Sequence, residues 1–244
     1  MNEVVCYDLE KQPTTFDFAT WACVIKSNNV DEVAIVGDHF KWKKDYSEEV
    51  ARRRLKNIVY PIAELAGMTV VDPGERPRVY APHLMSAVQK CYRDLSKIWK
   101  FPYEKRHDHI TVTIRDSWRT KHRNSNRKEW DKFISWAENN GEKVVVLEDR
   151  EENPYTVQER WDLYQCKMNL GVSNGPISML CLSDAPYVVM GYGNGAHDVY
   201  LLGVHHWMWK NYQHPWANRN QKLVWRPDTF TAIQRAYIAA SGAH

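Results

Sequence analysis

One polar turn in this 244-residue chain could bind an anion: Ser173-Asn174-Gly175-Pro176, which follows an apolar run. Glycine lets the backbone approach a ligand closely, and free N–H groups at the start of a following helix face an anion. Proline suits the first helical position, where the N–H that it lacks would not be used. Ser173 and Asn174 add side-chain donors. The turn therefore predicts a phosphate site, and the alternative is a capped turn without a ligand.

A second loop is rich in basic residues. It runs from Arg115 to Lys128 and contains a single acid, Asp116. Arginine binds phosphate through two parallel hydrogen bonds, and lysine adds a point charge. A solvated charged loop is the other interpretation. The loop therefore predicts a second anion-binding segment.

Carboxylates stand near both predicted ligand surfaces. Glu148 and Asp149 close a strand, where an acid accepts hydrogen bonds from ribose hydroxyls or a base N–H, although a helix cap before Pro154 fits equally well. Asp17 begins a predicted helix, and a carboxylate placed there could remove the proton of an acceptor hydroxyl. Asp38 is a second candidate base, and helix-start aspartates also serve as caps.

The remaining reactive side chains do not indicate a metal or disulfide site. The ten histidines lack metal-ligand spacing with nearby acids or cysteines, so we predict no metal. The five cysteines are odd in number, scattered and mostly set in apolar runs, which predicts reduced core residues.

Strands and helices alternate in the first part of the chain. Apolar β-type runs predict strands at 4–7, 32–37 and 68–71, and amphipathic spacing predicts helices at 16–25 and 47–66. The segment from Pro73 to Pro82 is predicted as a loop, and a helical segment from Leu84 to Trp99 as the connection to the second part. This order is typical of a parallel sheet flanked by helices.

The second part repeats the alternation. Strands are predicted at 109–114, 143–147, 169–172 and 185–190, with helices at 127–140 and from about 155 to 168. We therefore predict an α/β fold with two Rossmann-like lobes, residues 1–100 and 101–244, and a cleft between them. Because both anion-binding loops follow strand ends, they should share one edge of the second sheet.

Bulk composition fits a folded protein. Hydrophobic residues make up 43% of the chain and charged residues 26%. No apolar stretch is long enough for a membrane helix, and the first residues do not form a signal peptide, so we expect a cytoplasmic protein that does not bind membranes. The net charge of +3 argues against an extended DNA-binding groove.

The NLGVSNGP turn, together with the preceding TVTIR strand and loop, resembles the donor-binding half of GT-B glycosyltransferases, with heptosyltransferase-like and fucosyltransferase-like proteins nearest. The likeness covers roughly residues 109–235. It implies a nucleotide-sugar donor as co-substrate and no further cofactor. It also implies that Arg115, Arg119 and Lys121 join Ser173 to Pro176 around the donor phosphates. The chain departs from the family at Asn174, where an acid is usual, and no family base can be matched.

The resemblance leaves the acceptor open. A glycan hydroxyl is one candidate, and a hydroxymethylated DNA base, as in phage DNA-modifying enzymes, is another. A sugar-nucleotide epimerase or hydrolase of the same architecture would keep the nucleotide site without an acceptor. A non-enzymatic nucleic-acid binding module would use only the basic loop. The sequence predicts no oligomeric state.

Overall fold

The computed structural model describes residues 3–37, 47–80, 98–117, 121–150, 155–191, 213–214 and 216–242. Within them the chain forms two separate sheets, each made entirely of parallel strands and flanked by helices. The α/β class predicted from the alternation of elements is confirmed.

The first sheet has four strands: β1 (Val4–Asp8), β2 (Glu32–Val36), β3 (Thr69–Val70) and β4 (Arg78–Tyr80). They lie in the order β3-β2-β1-β4. Helix α1 (Asp17–Lys26) connects β1 to β2. Strand β4 lies in the segment predicted as a loop. It is an exposed three-residue strand, so its sequence carries no alternation, and its pairing with β1 defines it.

A long helical segment joins β2 to β3. It consists of α2 (Glu48–Arg54), a π-helical turn (Leu55–Val59) and α3 (Tyr60–Leu65). Ser47 caps its start by accepting a hydrogen bond from the Val50 N–H at 3.3 Å. The sequence predicted one uninterrupted helix here. Pro61 explains the difference, because a proline has no N–H to donate to the preceding turn and its ring crowds that turn.

The second sheet has five strands: β5 (His107–Arg115), β6 (Val144–Asp149), β7 (Cys166–Val172), β8 (Tyr187–Met190) and β9 (Gln221–Leu223). They lie in the order β6-β5-β7-β8-β9. Its helices are α4 (Arg127–Asn139), α5 (Val157–Leu163), α6 (Ile177–Cys181) and α7 (Phe230–Ser241).

Strand β7 begins earlier than its sequence predicts. The helix expected to reach Met168 ends at Leu163, and the strand starts at Cys166. Cys166 pairs with His107 of β5, and the His107 N–H donates to the Gln165 carbonyl at 3.0 Å. Pairing with a long neighbouring strand therefore overrides the local helical pattern.

Two large apolar cores cover the two faces of the second sheet. One lies between the sheets, where α1 and α3 pack against α6 and α5, and it contains Trp21, Phe18 and Trp161. The other packs α4 and α7 on the opposite face, around Trp130 and Tyr237. Helices thus cover both faces of the second sheet, and the edges formed by its strand ends are where a ligand can reach the backbone.

The described part of the chain adds two further findings. Cys6, Cys23, Cys166 and Cys181 are buried free thiols, while Cys91 lies outside the described residues. Among the described helices, none has the length and apolar composition needed to span a bilayer. The predicted connecting helix at 84–99 falls almost entirely outside the described residues.

Candidate functional site

The second sheet has a topological switch point between β5 and β7. The chain leaves β5 for β6 on one side and then returns to β7 on the other. In open α/β sheets, ligands bind in the crevice outside the carboxyl ends of the strands at such a point. Arg115 ends β5, and Ser173 directly follows β7. Two of the side chains predicted to bind phosphate therefore flank this crevice.

Arginines from three separate elements lie at this edge. Arg115 belongs to β5, Arg123 to a 3-10 turn (Lys121–Arg123), and Arg160 to α5. The Nε atoms of all three are buried from solvent. A buried guanidinium binds an anion more strongly than an exposed one, because less water screens the interaction. We refer to Arg115, Arg123 and Arg160 as the arginine cluster.

The basic loop folds back on itself and returns Arg123 to the sheet. The Arg115 N–H donates to Ser125 Oγ at 2.9 Å, and the Ser125 N–H donates to the Arg115 carbonyl at 3.0 Å. Asn124 Oδ1 accepts from the Ser117 N–H at 2.8 Å. With the loop closed in this way, Arg123 Nη2 donates to the Ser173 carbonyl at 3.4 Å.

Arg160 of α5 reaches the same edge beside the end of β6. It is only 2% exposed, and its Nη2 donates to the Glu148 carbonyl at 3.3 Å. Its guanidinium lies 5.7 Å from the centre of the Tyr155 ring. A capping box between Thr156 and Glu159 fixes the first turn of α5 and therefore the direction from which Arg160 projects.

Asp149 shares the edge with the arginine cluster. It pairs with Arg115 in the β5–β6 register. Burial raises the pKa of its carboxyl group, and the positive charges of Arg160 and Arg115 partly offset that increase. A carboxyl group with this balance can accept a hydrogen bond from a ligand or take up a proton when an anion binds beside it.

Glu148 has a different environment from Asp149, although both were predicted to contact a nucleoside. Its side chain forms ion pairs with Arg127 at 3.3 Å and with Arg150. Its backbone carbonyl accepts a hydrogen bond from Arg160. The carboxyl group of Asp149, by contrast, interacts with the charges of Arg160 and Arg115.

The predicted phosphate turn is packed against the first sheet's α1. Ser173 and Asn174 are 3% and 2% exposed. Asn174 Oδ1 accepts from the Ile177 N–H at 2.9 Å and so caps α6, while its Nδ2 has no hydrogen-bond partner among the described residues. A Cβ on Gly175 would lie 2.9 Å from Cδ2 of Phe16. Pro176 directly precedes Ile177, the first residue of α6, whereas the sequence predicted proline at the first helical position.

The candidate base Asp17 lies next to this contact, at the first position of α1 and one residue after Phe16. Its Oδ2 accepts a hydrogen bond from Thr15 Oγ1 at 2.8 Å. The start of α1 and the Ser173–Pro176 turn are thus neighbours. Lys121 is exposed on the 3-10 turn, while Arg119 and Asp38 lie outside the described residues.

Sequence reasoning missed Arg160 and left Arg123 out of the predicted site. Arg160 does have a recognisable signal. Val157, Arg160, Trp161 and Tyr164 follow the spacing of the buried stripe of an amphipathic helix, and an arginine in such a stripe must have a polar partner. Arg123 has no such signal, because the fold of its loop alone brings it to the strand ends.

No family model, no curated protein and no solved structure matches this chain. Among the described residues, no group of three or more His, Cys, Asp and Glu side chains is arranged to hold a metal ion.

Proposed function

We propose that this chain is a glycosyltransferase that moves a sugar from a nucleotide-sugar donor to an acceptor hydroxyl, either of a glycan or of a hydroxymethylated DNA base. In this proposal the arginine cluster binds the donor diphosphate. Asp149 and Glu148 accept hydrogen bonds from the nucleoside. The residues from 101 onward form the donor side, and the first 100 residues form the acceptor side.

The observation that carries the proposal is the placement of Arg115, Arg123 and Arg160 at the switch point of a parallel sheet. The Nε atoms of all three guanidinium groups are buried, and the charges of Arg115 and Arg160 act on the carboxyl group of Asp149. A diphosphate carries negative charge that complements a group of arginines, and its several oxygens can accept hydrogen bonds from more than one guanidinium group. The leaving nucleoside diphosphate is also where negative charge develops during transfer, so the same arginines would stabilise the transition state.

The neighbouring first sheet supports a base opposite the donor. Phe16 contacts Gly175, which brings Asp17 close to the turn that follows β7. A carboxylate near the donor phosphates can remove the acceptor hydroxyl's proton as the bond to the sugar forms. Asp17 is therefore our candidate for the general base, with Thr15 orienting it. Lys121, Arg119 and the Ser173–Pro176 turn remain part of the proposed phosphate surface.

Ligand-induced thermal stabilisation tests the donor site. The full chain is heated with UDP, GDP, ADP, CMP and their common sugar conjugates, and in parallel with duplex DNA. A ligand at about 100 times its Kd adds about 2.7 kcal/mol of stability, which shifts Tm measurably. Arg160→Ala and Arg115→Ala are the test variants. Arg235→Ala, on the exposed face of α7, is the matched control.

We expect one nucleotide to stabilise the wild type and the control but neither test variant. Transfer of the sugar from that nucleotide is then assayed with glycan and hydroxymethylated-DNA acceptors. Cleavage or epimerisation of the donor without any acceptor would support the epimerase or hydrolase alternative instead. Stabilisation by DNA alone would refute the donor site and favour a nucleic-acid binding module.

A further inference from the structure

A buried hydroxyl group connects Arg160 to strand β5. Tyr164 directly follows α5 and is 1% exposed. Arg160 Nη1 donates to its hydroxyl oxygen at 3.4 Å, and that oxygen lies 3.3 Å from Thr113 Oγ1. A guanidinium can only donate, so the tyrosine's own proton is available for Thr113. The three side chains form one chain of hydrogen bonds from the strand to the cluster.

Further buried hydrogen bonds fix the end of this hydrogen-bond chain that lies next to the sheet. The Tyr164 carbonyl accepts from Asn169 Nδ2 at 3.1 Å, and Asn169 Oδ1 accepts from Thr111 Oγ1 at 2.7 Å. Thr111, Thr113 and Asn169 have no exposed surface. Asn169 of β7 therefore fixes the backbone of Tyr164, and Thr113 of β5 fixes its hydroxyl, so the hydroxyl has little freedom to follow a moving Arg160.

A core without these polar groups would be simpler to stabilise. Phenylalanine and valine would fill the positions of Tyr164 and Thr113 without burying hydroxyls, which cost free energy unless they are hydrogen-bonded. The hydroxyl chain also ends at a charged side chain on the ligand edge and not at another core residue. The Arg160 side chain is long and flexible, and a bidentate phosphate contact requires a defined orientation of its guanidinium plane.

We propose that Tyr164, supported by Thr113, is a positioning residue whose hydroxyl holds the Arg160 guanidinium in the orientation that binds phosphate. The inference rests on the proposed function, since it assumes that Arg160 binds the donor diphosphate. Tyr164 itself does not touch the ligand. It acts through Arg160, so its effect on affinity exists only while Arg160 is present.

Calorimetric titration of the full chain with inorganic pyrophosphate, UDP, GDP and ADP tests this role. Tyr164→Phe should weaken binding of the preferred compound about five- to tenfold, the effect of one hydrogen bond to a charged group at the long end of its range. In an Arg160→Ala background, the same substitution should change affinity less than twofold. Tyr237→Phe is the matched control, because it removes a buried tyrosine hydroxyl that donates to Glu142 at 2.6 Å, away from the cluster.

The outcomes separate this inference from the proposed function. If the wild type binds and Tyr164→Phe binds equally well, Tyr164 does not position Arg160, while the donor site stands. An equal loss with and without Arg160 would also overturn the positioning role, since it would show a general effect on the fold. If the wild type binds none of the four compounds, the donor site itself is refuted. Should Tyr164→Phe fail to fold, Thr113→Val provides the test, with a smaller loss that again requires Arg160.

Discussion

Phe16 occupies the space that a side chain on Gly175 would need, with its Cδ2 atom 2.9 Å from the position of a Cβ. The first residue belongs to the start of α1 in the first sheet, and the second to the turn after β7 in the second sheet. Their contact brings the candidate base and the predicted phosphate turn together. Glycine is therefore required at 175 for close packing between the two halves of the chain.

Gly175→Ala should destabilise the protein and weaken donor binding. Overpacking of a closely packed contact typically costs about 1–3 kcal/mol, and each kcal/mol lowers Tm by about 2–4 °C in a chain of this size. Thermal unfolding with and without the stabilising nucleotide measures both effects. Adding Phe16→Leu should restore part of the loss by removing the ring.

Gly171→Ala provides the matched comparison. There a Cβ would lie 3.0 Å from the Thr113 carbonyl oxygen, a backbone atom that Phe16→Leu cannot move. If Phe16→Leu improves the two alanine variants equally, the Phe16–Gly175 contact does not explain the requirement for glycine at 175.

Asp149→Asn should make the protein more stable at neutral pH and bind its nucleotide less well. Burial raises the pKa of this carboxyl group in the folded state, so the folded protein binds the proton more tightly than the unfolded chain does. The contribution of Asp149 to stability therefore becomes less favourable as pH rises from about 4 through its folded pKa, and the cost persists at pH 7. Loss of stability to provide a binding group is common at functional sites.

Urea unfolding of wild type and Asp149→Asn at pH 4 and pH 7 measures this cost. The difference between the two proteins should be larger at pH 7. Asp131→Asn is the control, because it neutralises a surface acid on α4 that pairs with Arg127 at 2.7 Å. An Asp149→Asn variant that is less stable at pH 7 than at pH 4, relative to wild type, would contradict the prediction.

The fold class could be predicted from sequence because buried parallel strands and amphipathic helices leave strong periodic patterns. The strands that were mispredicted from sequence owe their structure to pairing with strands distant along the chain. β4 has three exposed residues and becomes a strand only by pairing with β1, and β7 gains Cys166 from its pairing with β5. The π turn before Pro61 reflects a backbone conflict that hydrophobic spacing does not report.

The candidate site was partly predictable for a similar reason. Arg115, Asp149 and Ser173 all stand at or next to strand ends, and parallel topology puts those ends at one edge. Arg123 reaches the edge only because Ser125 closes the basic loop onto Arg115. Tyr164 would be taken for an ordinary core residue from sequence, since only three-dimensional structure shows that its hydroxyl contacts Arg160 and Thr113.

Asp17→Asn should lower the rate of sugar transfer while leaving nucleotide affinity within about twofold of wild type. Loss of a general base typically costs 10²–10⁴ in rate, and asparagine keeps the shape and the contact with Thr15. Release of the nucleoside diphosphate in the presence of acceptor is the measurement. Glu48→Gln, an exposed acid in the first turn of α2, is the control. Unchanged turnover in Asp17→Asn would exclude Asp17 as the base.

His214→Phe should reduce the loss of stability in acid. His214 is 4% exposed and stacks on Trp216 with ring centres 4.8 Å apart, and neither ring nitrogen has a hydrogen-bond partner among the described residues. Burial lowers its pKa to about 3, so between pH 6.5 and that value the unfolded chain binds a proton that the folded protein does not. The stability of the wild type therefore falls as pH decreases through this window, and phenylalanine keeps the stacking without the proton.

Tm measured from pH 7.5 to 4 should fall less steeply in the variant. His109→Gln should show the same change to a smaller extent, because burial lowers that histidine's pKa less. Parallel Tm curves for His214→Phe and wild type would show that His214 takes up its proton equally in the folded and unfolded states.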